Sequence, residues 1–133
     1  MSPLIKSIQE SENFYSLGAA NQEDIAGAQE RLGLFFAEEY NEYLATFGVA
    51  TFKNHELTGI CNSERLNVVD VTQKARVFFP VFSHDFYVVE ELLIDRIVIV
   101  QNKDGKVYSC GPETPPVFLA DSLQEYYFPM NVS

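Results

Sequence analysis

The sequence predicts an α+β domain in which N-terminal helices are followed by an antiparallel sheet with helices packed against it. Before Gly48, apolar residues recur at the three- and four-residue spacing of amphipathic helices, whereas the later part alternates short β-branched or aromatic runs with turn residues. The 133 residues are 47% apolar and 14% aromatic, which suits a packed core and excludes an intrinsically disordered chain. We therefore expect a single domain over residues 1–133 that needs no disulfide or metal to fold.

Two helices are predicted ahead of the most amphipathic segment. Ser2 and Pro3 predict the start of a short first helix, because proline suits the first helical position. A second helix is expected from Asn21, whose side chain can cap its start, to Leu32, and Gly33 is the expected C-terminal residue.

The third helix is predicted by one apolar stripe. The stripe consists of Phe36, Tyr40, Tyr43, Leu44 and Phe47. Glu38, Glu39 and Glu42 fall on the other sides of this helix, and Gly48 follows as the expected C-terminal glycine. We therefore expect the face opposite the stripe to be acidic and exposed.

After Gly48 the pattern changes to strands, with one further helix between them. Residues 49–52 and 57–60 read as strands joined by a turn over residues 53–56. A fourth helix is expected over residues 67–78, because an asparagine can cap its start and its apolar residues share a face.

The second half predicts the main sheet. Residues 87–89 read as a strand, and residues 96–101 form a continuous apolar run, typical of a strand covered on both faces. Residues 102–105 predict a hairpin turn whose Gly105 can adopt the left-handed conformation, and residues 106–110 return as the partner strand.

A short helix is expected at the end of the chain. Three prolines within residues 112–116 predict a rigid connection after the hairpin. Ser122 and Glu125 then have the spacing of a capping box, and Pro129 is expected to stop the helix.

The charge restricts the classes of partner. There are 19 acidic and 9 basic residues, a formal net charge of −10 and an isoelectric point near 4.5. Nucleic acids and anionic membranes are bound by clustered Lys and Arg, so we expect no direct binding to either. Residues 1–6 lack the basic start and apolar stretch of an export signal, and we expect a cytoplasmic protein.

No pattern predicts a catalytic, cofactor or metal site. The neighbours Ser83-His84-Asp85 contain the residue types of a catalytic triad, but adjacent side chains point apart, so a polar loop is expected there. The possible zinc ligands are His55, Cys61, His84 and Cys110, and their spacing matches no zinc motif. Both cysteines are expected to be reduced and in or near the core.

Two groups of side chains suggest a recognition surface. The adjacent acidic pairs Glu38-Glu39 and Glu90-Glu91 are expected to be solvated, because neighbouring carboxylates diverge and no calcium-loop motif is present. The consecutive aromatic residues at 78–79 and 126–128 cannot all be buried, so some are expected to be exposed or at an interface.

The order of several motifs resembles the SUKH superfamily of SMI1/KNR4-like proteins, whose bacterial members are immunity proteins against polymorphic toxins. The matching positions are Ile25, Glu30, Leu32-Gly33, Tyr40, Tyr43-Leu44, Gly48, Leu57-Thr58-Gly59-Ile60, residues 102–108 and residues 120–126. The resemblance covers residues 21–128. This sequence departs from the family pattern in having Phe36-Ala37 in place of Leu-Pro, and in lacking tryptophan.

The resemblance implies a non-enzymatic, cytoplasmic protein that binds and neutralises a cognate toxin domain. The net charge suits a basic toxin such as a nuclease. The alternative is a scaffold or regulatory interaction module of the same fold with a non-toxin partner; an enzyme is the least favoured class. The partner is expected to contact acidic side chains that surround an aromatic centre. These acidic residues are Glu38, Glu39, Glu42, Glu90 and Glu91. An exposed strand edge or aromatic patch would also support a homodimer.

Overall fold

The computed structural model describes residues 2–129, so the predicted domain ends, residue 1 and residues 130–133, lie outside the described residues. The described part contains five helices and two antiparallel sheets, which confirms the α+β prediction. The helices are α1 (Pro3–Gln9), α2 (Gln22–Leu32), α3 (Glu38–Phe47), α4 (Val68–Phe78) and α5 (Leu123–Tyr127). The strands are β1 (Tyr15–Ser16), β2 (Ala50–Phe52), β3 (His55–Glu56), β4 (Tyr87–Glu91), β5 (Val98–Gln101), β6 (Val107–Cys110) and β7 (Val117–Ala120).

The predicted helices are confirmed, with Pro3 at the start of α1 as expected, although the side chain of Ser2 makes no capping hydrogen bond. The side chains of Asn21, Asn67 and Ser122 accept backbone N–H groups at the starts of α2, α4 and α5. Gly33 ends α2 in the left-handed conformation, at φ 67°. None of these helices is long and apolar enough to cross a membrane.

The small sheet has the order β1-β2-β3, and here the predicted strand at residues 57–60 is wrong. Lys53 and Asn54 both have positive φ values, 48° and 67°, and form a tight two-residue turn whose twist suits an antiparallel hairpin. The return strand therefore begins at His55, which pairs with Phe52. Residues 57–60 continue outside the sheet as irregular backbone, and Gly59 forms one isolated bridge, to Asn67.

The large sheet has the order β4-β5-β6-β7 and contains the predicted hairpin. Gly105 has the expected positive φ, at 89°, and Asn102 accepts the backbone N–H of Lys106 at 3.1 Å. The strand expected from residue 96 begins only at Val98, because Arg96 belongs to a turn with φ 59°. The expected connection through the three prolines leads into an additional edge strand, β7.

Apolar cores cover both faces of the large sheet, as the continuous apolar run in β5 predicted. Ile99 faces the larger core, which includes residues of α1, α2, α3 and α5. Val98 and Val100 face a smaller core beneath α4. The sheet thus packs against α4 through the smaller core and against the remaining helices through the larger core, which the first residues of α4, Val68 and Val69, also join.

Candidate functional site

The five glutamates predicted to contact a partner differ in burial and location. Glu38 is exposed, whereas Glu39, Glu42 and Glu91 are half-buried. Glu90 is buried, with only 5% of its surface exposed, so the expectation that it is solvated is wrong. Glu38 and Glu39 line one groove and Glu91 lines others. Glu39, Glu42 and Glu90 accept hydrogen bonds from other parts of the protein. Of the three glutamates predicted to form an exposed acidic face on α3, Glu38 alone is fully exposed.

Glu39 is a structural cap that links α3 to α5. Its Oε1 accepts the backbone N–H of Leu123 at 2.7 Å and the side-chain amide of Gln101 at 3.0 Å. Its Oε2 accepts the backbone N–H of Gln124, also at 3.0 Å. The carboxylate therefore satisfies two N–H groups at the start of α5 that have no partner within the helix.

Replacing Glu39 with alanine is expected to lower the free energy of unfolding by about 1–3 kcal/mol, because three donors lose their acceptor. The matched control is Glu38→Ala, one residue away and exposed, which should change it by less than about 0.5 kcal/mol. Urea denaturation followed by circular dichroism measures both. Equal stabilities for the two variants would contradict the capping role.

Glu42 and Glu91 have one internal partner each. Glu42 accepts the backbone N–H of Ser2 at 2.6 Å, which ties the start of α1 to α3. Glu91 lies 3.9 Å from the amine of Lys74, a loose ion pair at the surface. Of these two carboxylates, only Glu91 retains much freedom to contact another molecule.

Glu90 is the centre of a buried polar cluster. Its Oε1 accepts the hydroxyl of Tyr127 at 2.6 Å, and its Oε2 lies 3.1 Å from Nδ1 of His55 and accepts the N–H of Glu56 at 3.4 Å. Burial, and secondarily the nearby charge of Glu90, raise the pKa of Tyr127 well above its ordinary value, so the phenol stays protonated and donates. This cluster joins β3, β4 and α5.

A β-bulge accounts for the burial of Glu90. Strict alternation along β4 would place Glu90 on the same side as Val88, toward α4. The register shifts between these two residues, so that Val88 pairs with Val100 and Glu90 pairs with Ile99. Since Ile99 faces the larger core, the bulge turns the carboxylate toward that core.

The other chemical candidates lie apart from one another. The Ser83-His84-Asp85 segment is a loop, as predicted, in which the N–H of Asp85 donates to the hydroxyl of Ser83 at 3.2 Å. Within residues 2–129, no three His, Cys, Asp or Glu side chains are grouped to hold a metal ion. Both thiols are free; Cys61 is half-buried, and burial raises the pKa of Cys110 to about 11.

Phe35, an exposed phenylalanine between α2 and α3 that the residue pattern did not single out, shares a groove with two exposed carboxylates. Phe35 is 71% exposed and follows the last turn of α2. It lines a groove of about 280 Å³ that continues, through the shared Lys103 and Asp104, into a second groove of about 430 Å³. We call this surface the Phe35 face, and it comprises Phe35, Glu38, Asp85, Asp104 and Asp121.

The Phe35 face is acidic and aromatic. All four of its carboxylate residues are exposed. Three bases lie near the face: Lys103 lines both grooves, the amine of Lys106 is engaged with Asp121 at 2.6 Å, and the guanidinium of Arg76 donates to the carbonyls of Leu32 and His84. The face therefore keeps a net negative charge around its aromatic centre. It suits a basic, partly apolar protein surface.

The chain matches the family profile SUKH_5, described as SMI1-KNR4 cell-wall, over residues 1–127. The chain belongs to the SUKH_5 family. The match confirms the resemblance seen in the motifs and extends it over α1. SUKH domains commonly act as immunity proteins. No curated protein sequence matches this SUKH_5 chain.

Proposed function

We propose that this SUKH_5 protein is a cytoplasmic immunity protein that binds a cognate toxin domain through the Phe35 face and neutralises it without catalysing a reaction. Membership of the family supports the class of function. The observation that carries the choice of surface is an aromatic side chain, 71% exposed, that shares a groove with the exposed carboxylates Asp85 and Asp104, while the adjoining groove adds Glu38 and Asp121. A large apolar side chain inside a charged rim is the usual anatomy of a protein recognition site.

The backbone holds Phe35 in place before any partner binds. The next residue, Phe36, is buried against Tyr40 and Tyr87, with ring centroids 5.1 and 4.8 Å apart. The backbone N–H of Phe36 also donates to the side chain of Gln29 at 2.8 Å. Because its neighbour is fixed, Phe35 would lose little backbone freedom on binding, which favours affinity.

The charge of the face selects the kind of toxin. Exposed carboxylates accelerate association with a basic partner and repel nucleic acid. A nuclease or other nucleic-acid-binding toxin carries the complementary charge, and the immunity protein would then occupy the surface that the toxin needs for its substrate.

The five predicted glutamates have different roles in this contact. Glu38 contacts the toxin directly, and Glu39, which lines the same groove, supports the face through its hydrogen bonds to α5. Glu42 and Glu90 act inside the protein. Glu91 lies beside α4 and takes no part in this contact.

The proposal is tested with the toxin domain encoded beside this gene, first by growth rescue on co-expression and then by calorimetric titration of the purified pair. The triple variant Glu38→Lys, Asp85→Lys, Asp104→Lys should weaken binding at least tenfold more than a control with the same change in net charge. The control is Glu12→Lys, Glu64→Lys, Glu113→Lys, at exposed positions outside the face. The variant Phe35→Ala should weaken binding about 10- to 100-fold.

Two outcomes would count against the proposal. Equal losses in the two triple variants would mean that the net charge, rather than this face, governs binding. A well-folded wild-type protein that neither rescues growth nor binds the toxin would favour the scaffold or regulatory role.

A further inference from the structure

The two edges of the large sheet differ in how their backbone groups are used. At the β4 edge, the N–H of Val88 donates to the hydroxyl of Thr72 at 2.9 Å, and the carbonyls of Val88 and Val89 accept from Thr58 at 2.7 and 2.8 Å. At the opposite edge, β7 pairs with β6 alone. Among the described residues, no backbone hydrogen bond outside the sheet reaches residues 117–120. The β4 edge is therefore closed, whereas β7 is open along the side that points away from β6.

The open edge exposes apolar side chains on both faces of the sheet. Val117 is 55% exposed and Phe118 is 52% exposed. Successive residues of a strand point to opposite faces, so these two side chains cannot both be covered from one side. The ring centroid of Phe118 lies 5.6 Å from that of Tyr108, which lies 5.1 Å from that of Phe86 in the smaller core. This row of rings carries the smaller core out to the edge, where it ends in the solvent.

The features that normally protect an exposed edge are incomplete in β7. Natural edge strands carry charged residues, prolines or bulges that hinder pairing with another chain. Here Pro115 and Pro116 precede the strand, and a bulge leaves Leu119 without a partner in β6, but β7 itself contains no charged residue. These features restrict a pairing segment to about the length of β7, four residues, and do not block it.

The charges around β7 favour a basic partner over a second copy of the chain. After Lys106 the sequence contains no lysine or arginine, whereas Glu113 precedes β7 and Asp121 directly follows it. Both of these acids are exposed. Two copies of the chain, each with a net charge of −10, repel each other. A segment with basic residues on either side of apolar ones is instead attracted to this edge.

We propose that β7 binds an extended segment of the toxin domain, which joins the four-stranded sheet as a further strand. The main chain of the segment pairs with the open backbone groups of β7, and its side chains cover Phe118 on one face and Val117 on the other. Its basic residues lie beside Glu113 and Asp121. A strand along the edge covers both faces at once, which a helix seated on one face cannot do.

This contact rests on the proposed function and extends it. Asp121, directly after β7, also belongs to the Phe35 face, so the two surfaces are continuous. The toxin thus contacts the Phe35 face with a basic, partly apolar surface and the adjoining edge with a strand.

The side-chain part of the contact is tested by calorimetric titration of the full chain with the toxin domain encoded beside this gene. The variant Val117→Glu should weaken binding by about tenfold or more, because it places a charge in an apolar contact, although the added negative charge by itself favours a basic partner. The matched control is Val81→Glu, in the loop after α4, at a valine that is 52% exposed. It should bind as the wild type does. Circular dichroism checks that both variants are folded.

Hydrogen exchange of the backbone amides, measured by NMR on the free protein and on the complex, tests the strand pairing itself. At least one amide within residues 117–119 should exchange about tenfold more slowly in the complex, because an open N–H gains a carbonyl partner. The amide of the control residue Val81 should keep its rate.

The outcomes separate this contact from the proposed function. A toxin domain that does not bind the wild type overturns both. If Phe35→Ala weakens binding but Val117→Glu does not, or if the amides of residues 117–119 keep their rates in the complex, the toxin uses the Phe35 face alone and the strand contact is wrong. Sedimentation velocity tests the other occupant: a concentration-dependent dimer that Val117→Glu abolishes would assign the edge to a second copy and overturn the proposal.

Discussion

Replacing Gly59 with alanine is expected to lower the free energy of unfolding by more than about 4 kcal/mol or to prevent folding. A Cβ atom at this position would overlap the carbonyl oxygen of Gly48, which is backbone and has no alternative rotamer. Hydrogen bonds hold both segments in place: Ile60 donates to that same carbonyl at 3.1 Å, and Gly59 donates to the carbonyl of Leu66 at 2.8 Å. Neither segment can therefore move aside without breaking a hydrogen bond.

The matched control is Gly27→Ala in the interior of α2. No atom lies within 4 Å of a Cβ built there, and alanine has the higher helix propensity, so this variant should gain about 0.5–1 kcal/mol. Thermal and urea unfolding followed by circular dichroism measure both variants. A Gly59→Ala protein with the stability of the wild type would show that residues 48 and 59 do not approach each other as described.

The helices could be predicted because their signals are local. A capping side chain such as Asn21 or Ser122 lies within a few residues of the N–H that it accepts, and a terminal glycine such as Gly33 adjoins the helix that it ends. The tight turn at Lys53-Asn54 carries no glycine, which the same conformation usually requires. The residue pattern therefore predicts the return strand of this hairpin at residue 57, two residues later than in the structure.

The roles of the glutamates could not be predicted, because their partners are distant in sequence. The donors to Glu39 lie 62 to 85 residues away, and the burial of Glu90 depends on a bulge that the residue pattern does not reveal. Phe35 had a usable signal. Because Phe36 belongs to the predicted apolar stripe of the third helix, its neighbour falls off that stripe and is expected to face the solvent, although in the structure both residues precede α3.

Replacing Glu90 with alanine is expected to lower the free energy of unfolding by about 2–4 kcal/mol, because it leaves buried donors without an acceptor. The hydroxyl of Tyr127 and the N–H of Glu56 both lose their partner, and the ring of His55 loses its carboxylate. The matched control is the adjacent Glu91→Ala, which removes the loose ion pair to Lys74, and its cost should be below about 0.5 kcal/mol.

A double-mutant cycle separates the polar cluster from simple loss of packing. If the carboxylate of Glu90 and the hydroxyl of Tyr127 stabilise each other, the double variant Glu90→Ala, Tyr127→Phe should be less destabilised than the sum of the single variants, by about 1 kcal/mol or more. Urea denaturation of the four proteins gives this coupling free energy. Additive effects would mean that the two groups do not interact. The coupling also explains why Glu90 cannot serve as a surface contact: a partner that bound this carboxylate would have to compete with the hydroxyl that it already accepts.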